Sequence, residues 1–349
     1  MTESPTRRVN RLFAAYPAIA LAGLLPVAAI TPLFPVEVGV AVFALGTLAI
    51  GMAHGAVDHL VPLRAADVPL RRSITVVSVV YAVLGGAVVA AFFRSPVAAF
   101  VGFILLTWIH WGQGDVAALV VGGVEHLPTT AERVLALVVR GGLPMGVPLI
   151  AYPGEYRLVA EWIVGLFVVE AGGAAAAVDP VFSAAARIAV AVGMVTATLL
   201  AVALGAVRVR QGADRRGWLR DVGEIGVLWS WFLLATPVFA IGVYFALWHA
   251  LRHVGRLLLI DDGAVRSLSS GSDRDALRRF ARDAAPLTLA GFGVVAAVAV
   301  VAPAGIVAPG DLLAASLVAI AAMTLPHVVV VAWLDGKQGT WRPSSCVRF

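Results

Sequence analysis

Apolar residues in this chain come in long blocks rather than alternating with polar ones. From Tyr16 to Leu334, stretches of mostly Ala, Val, Leu, Ile, Gly and Phe follow one another with short polar connectors. A helix crossing the hydrocarbon core of a bilayer needs roughly 20 such residues. Blocks of this kind run approximately over 16–33, 38–60, 74–93, 97–121, 134–151, 188–207, 225–241, 242–259, 286–306 and 312–334. The pattern predicts an all-α fold, a polytopic transmembrane helix bundle with about ten spans (8–11). The stretch 162–178 is expected not to cross, because Glu170 and the Gly172–Gly173 pair interrupt it. The block at 134–151 carries Arg140, Gly141, Gly142, Pro144 and Pro148 and is expected to depart from a straight helix.

Composition agrees: 60% of residues are hydrophobic and 13% charged, too little polar surface for a water-soluble domain. The length alone would allow two soluble domains, but the unbroken succession of blocks favours one transmembrane domain over 16–334. Segments 1–15 and 335–349 are then N- and C-terminal cytoplasmic pieces. The net charge of +5 does not point to nucleic acid, because the arginines gather in connectors at 64–72, 208–220 and 266–282. Such clusters are topology signals beside anionic lipid. They place both termini in the cytoplasm and the chain in the cell membrane, with the basic N-terminus and the block at 16–33 read as an uncleaved signal anchor. Cys346 is the sole cysteine, which excludes an intrachain disulfide or a thiolate metal cage.

Five of the seven histidines, His54, His110, His249, His253 and His327, fall inside apolar blocks or at their ends. An imidazole in hydrocarbon is costly unless it meets a partner. His249 and His253 are spaced i, i+4, which puts both on one helix face a turn apart, as when one helix donates two ligands to one metal. A zinc protease would carry Glu directly after the first of them, and Ala250 stands there. Asp58 follows His54 by four residues and Asp115 follows His110 by five, near enough on a helix to orient their own or a neighbouring imidazole. Near the ends of their blocks, both serve equally as solvated or arginine-paired carboxylates. His327 after a proline serves equally as a packing group, an orienting group or a further ligand; His59 and His126 read as interfacial or solvated. Glu224, just after the arginine cluster, is accounted for by ion pairing. A set of imidazoles without thiolate suits Fe(II), Zn or Cu about equally.

The runs His54-Gly55-x-x-Asp58, His110-Trp111-Gly112-Gln113-x-Asp115, Tyr244-Phe245-x-x-Trp248-His249-x-x-Arg252-His253 and Leu325-Pro326-His327 resemble the ordered motifs of the bacteriorhodopsin-related-protein (Brp/Blh) family of membrane β-carotene 15,15′-dioxygenases. The resemblance spans about residues 45–335. It implies a non-heme Fe(II) held by His54, His110, His249 and His253, and cleavage of β-carotene by O2 at its central double bond to give two molecules of retinal. A retinal-binding opsin is then a candidate recipient of the product. Trp111 stands where the family more often has Phe, and Ala250 where Ser is common; neither position is a ligand. β-Carotene is a rigid apolar polyene about as long as a bilayer core is thick, roughly 30 Å, so a site among membrane helices can take it from lipid. Trp108, Trp111, Tyr244, Phe245 and Trp248 flank the ligands and are candidate walls for it, with core packing the plainer role of any one.

Other membrane functions fit less well. An opsin needs an intramembrane lysine for its Schiff base, and the only lysine is Lys337, after the last block. A cytochrome b places its paired histidines on facing helices, and a di-iron desaturase needs more histidines than the chain has. A non-catalytic carotenoid or metal-ion carrier, or a transporter using the same histidines, is the remaining alternative.

Overall fold

A computed structural model describes residues 3–342, and among them the secondary structure is helical throughout, with no strand. The longer helices are α1 (Pro5–Gly23), α2 (Leu25–Leu33), α3 (Val36–Gly46), α4 (Leu70–Arg94), α5 (Pro96–Val121), α6 (Thr130–Ala151), α7 (Pro153–Gly165), α8 (Ala184–Arg210), α9 (Arg215–Leu234), α10 (Pro237–Leu258), α11 (Asp273–Val301) and α12 (Pro309–Gln338). Seven of these, α4, α5, α6, α8, α10, α11 and α12, are long and apolar enough to cross a membrane, and α1 with α2, bent by 42° at their junction, adds an eighth. That is the lower end of the range expected from the blocks.

Starts and stops follow local chemistry. Thr129 and Glu132 close a reciprocal cap on α6, and Asp214 accepts from the Arg216 and Gly217 amides at the start of α9. Proline occupies the first helical turn of α5, α7, α10 and α12, where its missing N–H costs nothing. Pro237 also explains a shifted boundary. The blocks at 225–241 and 242–259 are instead α9, ending at Leu234, and α10, starting at Pro237. The last helix likewise runs on to Gln338, past the expected end at 334, and buries Asp335 completely.

The larger departure is at 38–60. Helix α3 stops at Gly46, passes through a π-helical turn at Thr47–Gly51, and gives way to non-helical turns before a short helical turn at Asp58–Leu60. Non-helical backbone at membrane depth is tolerated where protein surrounds it. Here α10 does so: a Cβ on Gly46 would fall 2.7 Å from the Gly242 carbonyl, and one on Gly51 would meet the Phe245 ring. The stretch 162–178 is broken, as expected, after Gly165.

Packing separates inner helices from outer ones. Helices α6, α10 and α12 are largely buried, whereas α4, α8 and α11 expose rows of Val, Leu and Ile such as Val79, Val83, Val192, Leu199 and Leu289. Such faces suit lipid rather than water. Inside, glycines let backbones touch: a Cβ on Gly112 would lie 2.2 Å from the Leu137 carbonyl, and one on Gly141 1.9 Å from that of Trp108. These contacts join α5 to α6 in the small-residue manner of membrane helices. The basic connectors collect at one end of the bundle. Arg8 pairs with Asp273, Arg64 with Asp261 and Asp283, Arg208 with Glu132, and Arg220 bonds Asn10.

Candidate metal centre

Four inner elements bring the five intrablock histidines together. His54 sits on the turns after α3, His110 on α5, His249 and His253 on α10, and His327 on α12 directly after Pro326. All five are buried. The His54 ring centroid lies 5.2 Å from that of His249, 5.6 Å from His253 and 5.1 Å from His327; His110 is 4.8 Å from both His249 and His327, and His253 is 5.0 Å from His327. The i, i+4 pair on α10 straddles the end of a π-helical turn over Phe245–Ala250, an irregularity common at functional sites.

The ring nitrogens divide into fixed and free. His54 Nδ1 donates to the Gly51 carbonyl, which leaves the lone pair on Nε2 open. His249 Nε2 and His110 Nε2 approach to 3.1 Å. Both nitrogens of His253, His110 Nδ1 and His327 Nε2 are buried with no hydrogen-bond partner. A buried imidazole nitrogen without a partner carries a desolvation cost. Several facing one another are what a metal ion would satisfy. Potential ligand atoms of His54, His110 and His249 all lie within 4.8 Å of one another, as do those of Asp58, His253 and His327.

Neither carboxylate bonds the histidine it follows in sequence. Asp58 does not reach His54; its Oδ2 accepts from His327 Nδ1 at 2.7 Å and from the Tyr81 hydroxyl at 2.6 Å. With the helix broken at 52–57, the four-residue spacing no longer stacks Asp58 beneath His54. Asp115 meets no histidine. It accepts from Trp248 Nε1 at 3.0 Å and pairs with Arg140 at 2.8 Å. Arg140, completely buried, also holds Asp221 at 2.6 Å and Glu224 at 3.0 Å, and Arg252 bridges Glu224 at 2.9 Å while lying 3.9 Å over the Trp248 ring. Glu224 is therefore ion-paired, as expected. His126 is not solvated: it is 1% exposed and bonded to Asp221 at 2.8 Å, so this network reaches into its connector. The sequence signal for the network was Arg140 inside an apolar block, since an intramembrane arginine requires acidic partners. Tyr81 carried no such signal.

A cavity of about 190 Å³ opens from the histidines into the bundle. His54, His110 and His327 are part of its lining, and Phe43, Phe100, Phe103, Tyr156, Ile163 and Leu313 are among its mostly apolar walls. Of the aromatic wall candidates, Trp111 and Phe245 border it. Trp108 faces α6 and α8, bonding the Val138 carbonyl and packing near Gly142 and Met194. Tyr244 and Trp248 are fully buried behind the cluster, Trp248 as part of the charged network.

Comparison with known proteins shows which family the chain resembles. The family model for β-carotene 15,15′-dioxygenase matches residues 45–335. The chain is 39% identical over 328 residues, 93% of its length and 90% of the relative's, to a probable β-carotene 15,15′-dioxygenase Blh of Halobacterium salinarum. It is 30% identical over 322 residues, 88% of its length and 86% of the relative's, to a probable β-carotene 15,15′-dioxygenase Brp of the same organism. No solved structure matches it. All the histidines of the cluster lie within the matched region, and the chain belongs to the β-carotene 15,15′-dioxygenase family.

Proposed function

We propose that this protein is a membrane-embedded non-heme iron dioxygenase that cleaves β-carotene with O2 at the 15,15′ double bond, releasing two molecules of retinal. The observation that carries the reading is the convergence of buried, unpartnered imidazoles beside an apolar cavity inside the bundle. His54, His110, His249 and His253 are the proposed ligands. Iron(II) supplies the activation of O2 that no side chain here can perform. The donor set is all nitrogen without thiolate, which iron(II) accepts as readily as zinc or copper, so the choice of iron rests on the family resemblance.

The chain's own residues do the rest. The apolar walls accept a polyene that water does not dissolve, and Phe43, Phe100 and Phe103 offer flat surfaces along its length. Phe245 and Trp111 close the cavity beside the ligands, where they hold the reacting bond near the metal and keep water away. Arg140, Asp115 and Arg252 fix Trp248, the neighbour of His249, and so set the phase of α10 behind the site. The end of the bundle crowded with arginines is the cytoplasmic one in this reading.

Expression in a host that accumulates β-carotene tests the proposal. The orange pigment should fade and retinal should appear, and His249→Ala should abolish both changes. Retained pigment with correctly inserted wild-type protein would favour a carrier.

A further inference from the structure

His327 lies near the middle of the cluster, closer to His110 than His54 is, and it borders the cavity, which neither His249 nor His253 does. Its ring is set in one orientation. Asp58 accepts from Nδ1 at 2.7 Å, the Tyr81 hydroxyl donates to the same carboxylate oxygen at 2.6 Å, and the pair is 1% (Asp58) and 4% (His327) exposed. Gly55 permits the approach: a Cβ there would stand 3.3 Å from His327 Nδ1. With Nδ1 protonated and donating, Nε2 must carry the lone pair, and that nitrogen is buried without a partner.

We infer that His327 is a fifth nitrogen ligand of the same metal, and that Asp58 and Tyr81 position it by fixing its tautomer and ring. The inference rests on the four-histidine reading above. A carboxylate on the distal nitrogen of a metal-bound imidazole is a general device: it orients the ring and raises its basicity. Asp58 is assigned the acceptor role through Oδ2, which His327 and Tyr81 share, while its Oδ1 is buried without a partner. Pro326 contributes by removing one backbone N–H from α12 a single residue before the ligand. Five imidazoles would leave fewer positions on an ion than four, and the cavity bordered by His54, His110 and His327 would be its open side.

The test uses the purified full chain in detergent loaded with Co(II), whose visible ligand-field bands intensify as coordination number falls. His327→Ala should still bind Co(II) through the other four histidines, but with a clear loss of affinity, at least as large as the about 10–100-fold expected for removing a ligand's orienting partner, and with stronger bands. Added free imidazole should restore the wild-type spectrum. Asp58→Asn and Tyr81→Phe should weaken binding in the same direction, and Asp58→Asn by more, since it loses the charge. A His327→Ala protein with wild-type affinity and spectrum overturns the proposal. Two Co(II) ions per chain, one lost in His327→Ala, also overturn it and assign Asp58, His253 and His327 to a second ion. If His327→Ala is not monodisperse, unchanged affinity in both Asp58→Asn and Tyr81→Phe is the overturning result. Wild-type protein that takes up neither Co(II) nor Fe(II) instead removes the four-histidine reading, and this inference with it.

Discussion

Replacing Arg140 by methionine tests whether the buried ion network holds the bundle together behind the site. The guanidinium is fully buried and contacts three carboxylates, Asp115 at 2.8 Å, Asp221 at 2.6 Å and Glu224 at 3.0 Å. Removing one partner of a buried pair costs about 3–5 kcal/mol, because the charge left behind is uncompensated. Each carboxylate here keeps another partner: Asp115 has Trp248 and Arg252, Asp221 has His126, and Glu224 has Arg220 and Arg252. The loss therefore belongs at the lower end, about 3 kcal/mol, or roughly a hundredfold in the folding equilibrium. Thermal unfolding of wild type and Arg140→Met in one detergent at one scan rate should give a clearly lower midpoint for the variant; because large membrane proteins unfold irreversibly, the midpoints rank the two proteins rather than read the free energy itself. Arg140→Lys should recover little, because an ammonium cannot span three carboxylates as a planar guanidinium does. Adding Asp221→Asn to Arg140→Met should recover part of the loss, since one stranded charge is removed. A variant Arg140→Met that melts with the wild type would refute the reasoning and make the network replaceable packing.

Purified protein should hold close to one iron per chain by elemental analysis, and His249→Ala or His253→Ala should remove most of it; full iron in both variants would put the metal elsewhere. Reporters fused after Arg72, within 210–220 and after Lys337 should all give cytoplasmic signals, and an external signal within 210–220 would mean an additional crossing before α8. Asp261, outside the spanning helices, gives a pH effect of definite sign. Burial alone would raise its carboxyl pKa, but Arg279, the Ala264 amide and Arg64 outweigh that and hold it below the usual carboxylate range. Its stabilisation is complete above the unfolded carboxylate pKa near ~4 and fades as pH falls through the lower folded value. Asp261→Asn keeps the cap on Asp262–Ser269 but loses the ion pairs, so it should melt below wild type at neutral pH and together with it in strong acid; equal melting at neutral pH would contradict the assignment.

Much of the candidate site could be read from local sequence. The cost of an imidazole in hydrocarbon is a property of residue type and surrounding composition, so His54, His110, His249, His253 and His327 could be singled out without coordinates. The spacing of His249 and His253 put both on one face of α10, and both rings lie against His54. The helical class followed as directly, because backbone in lipid must satisfy its own hydrogen bonds.

What required the fold was every relation between distant residues. The apolar block at 38–60 is long enough to cross a membrane as a helix. It unwinds instead at 52–57, just after Gly46 and Gly51 let α10 pack closely against it, and hydropathy does not register such a neighbour. That unwinding takes Asp58 away from His54 and gives it to His327, 269 residues along the chain. Five aromatic residues looked alike beside the histidines. Only packing separated Trp111 and Phe245, on the cavity, from Tyr244 and Trp248 behind it and Trp108 on another helix face. Burial cost depends on what a residue is and can be read locally. Partner, orientation and access depend on which helices meet, a sum of many small packing contacts between segments far apart in sequence.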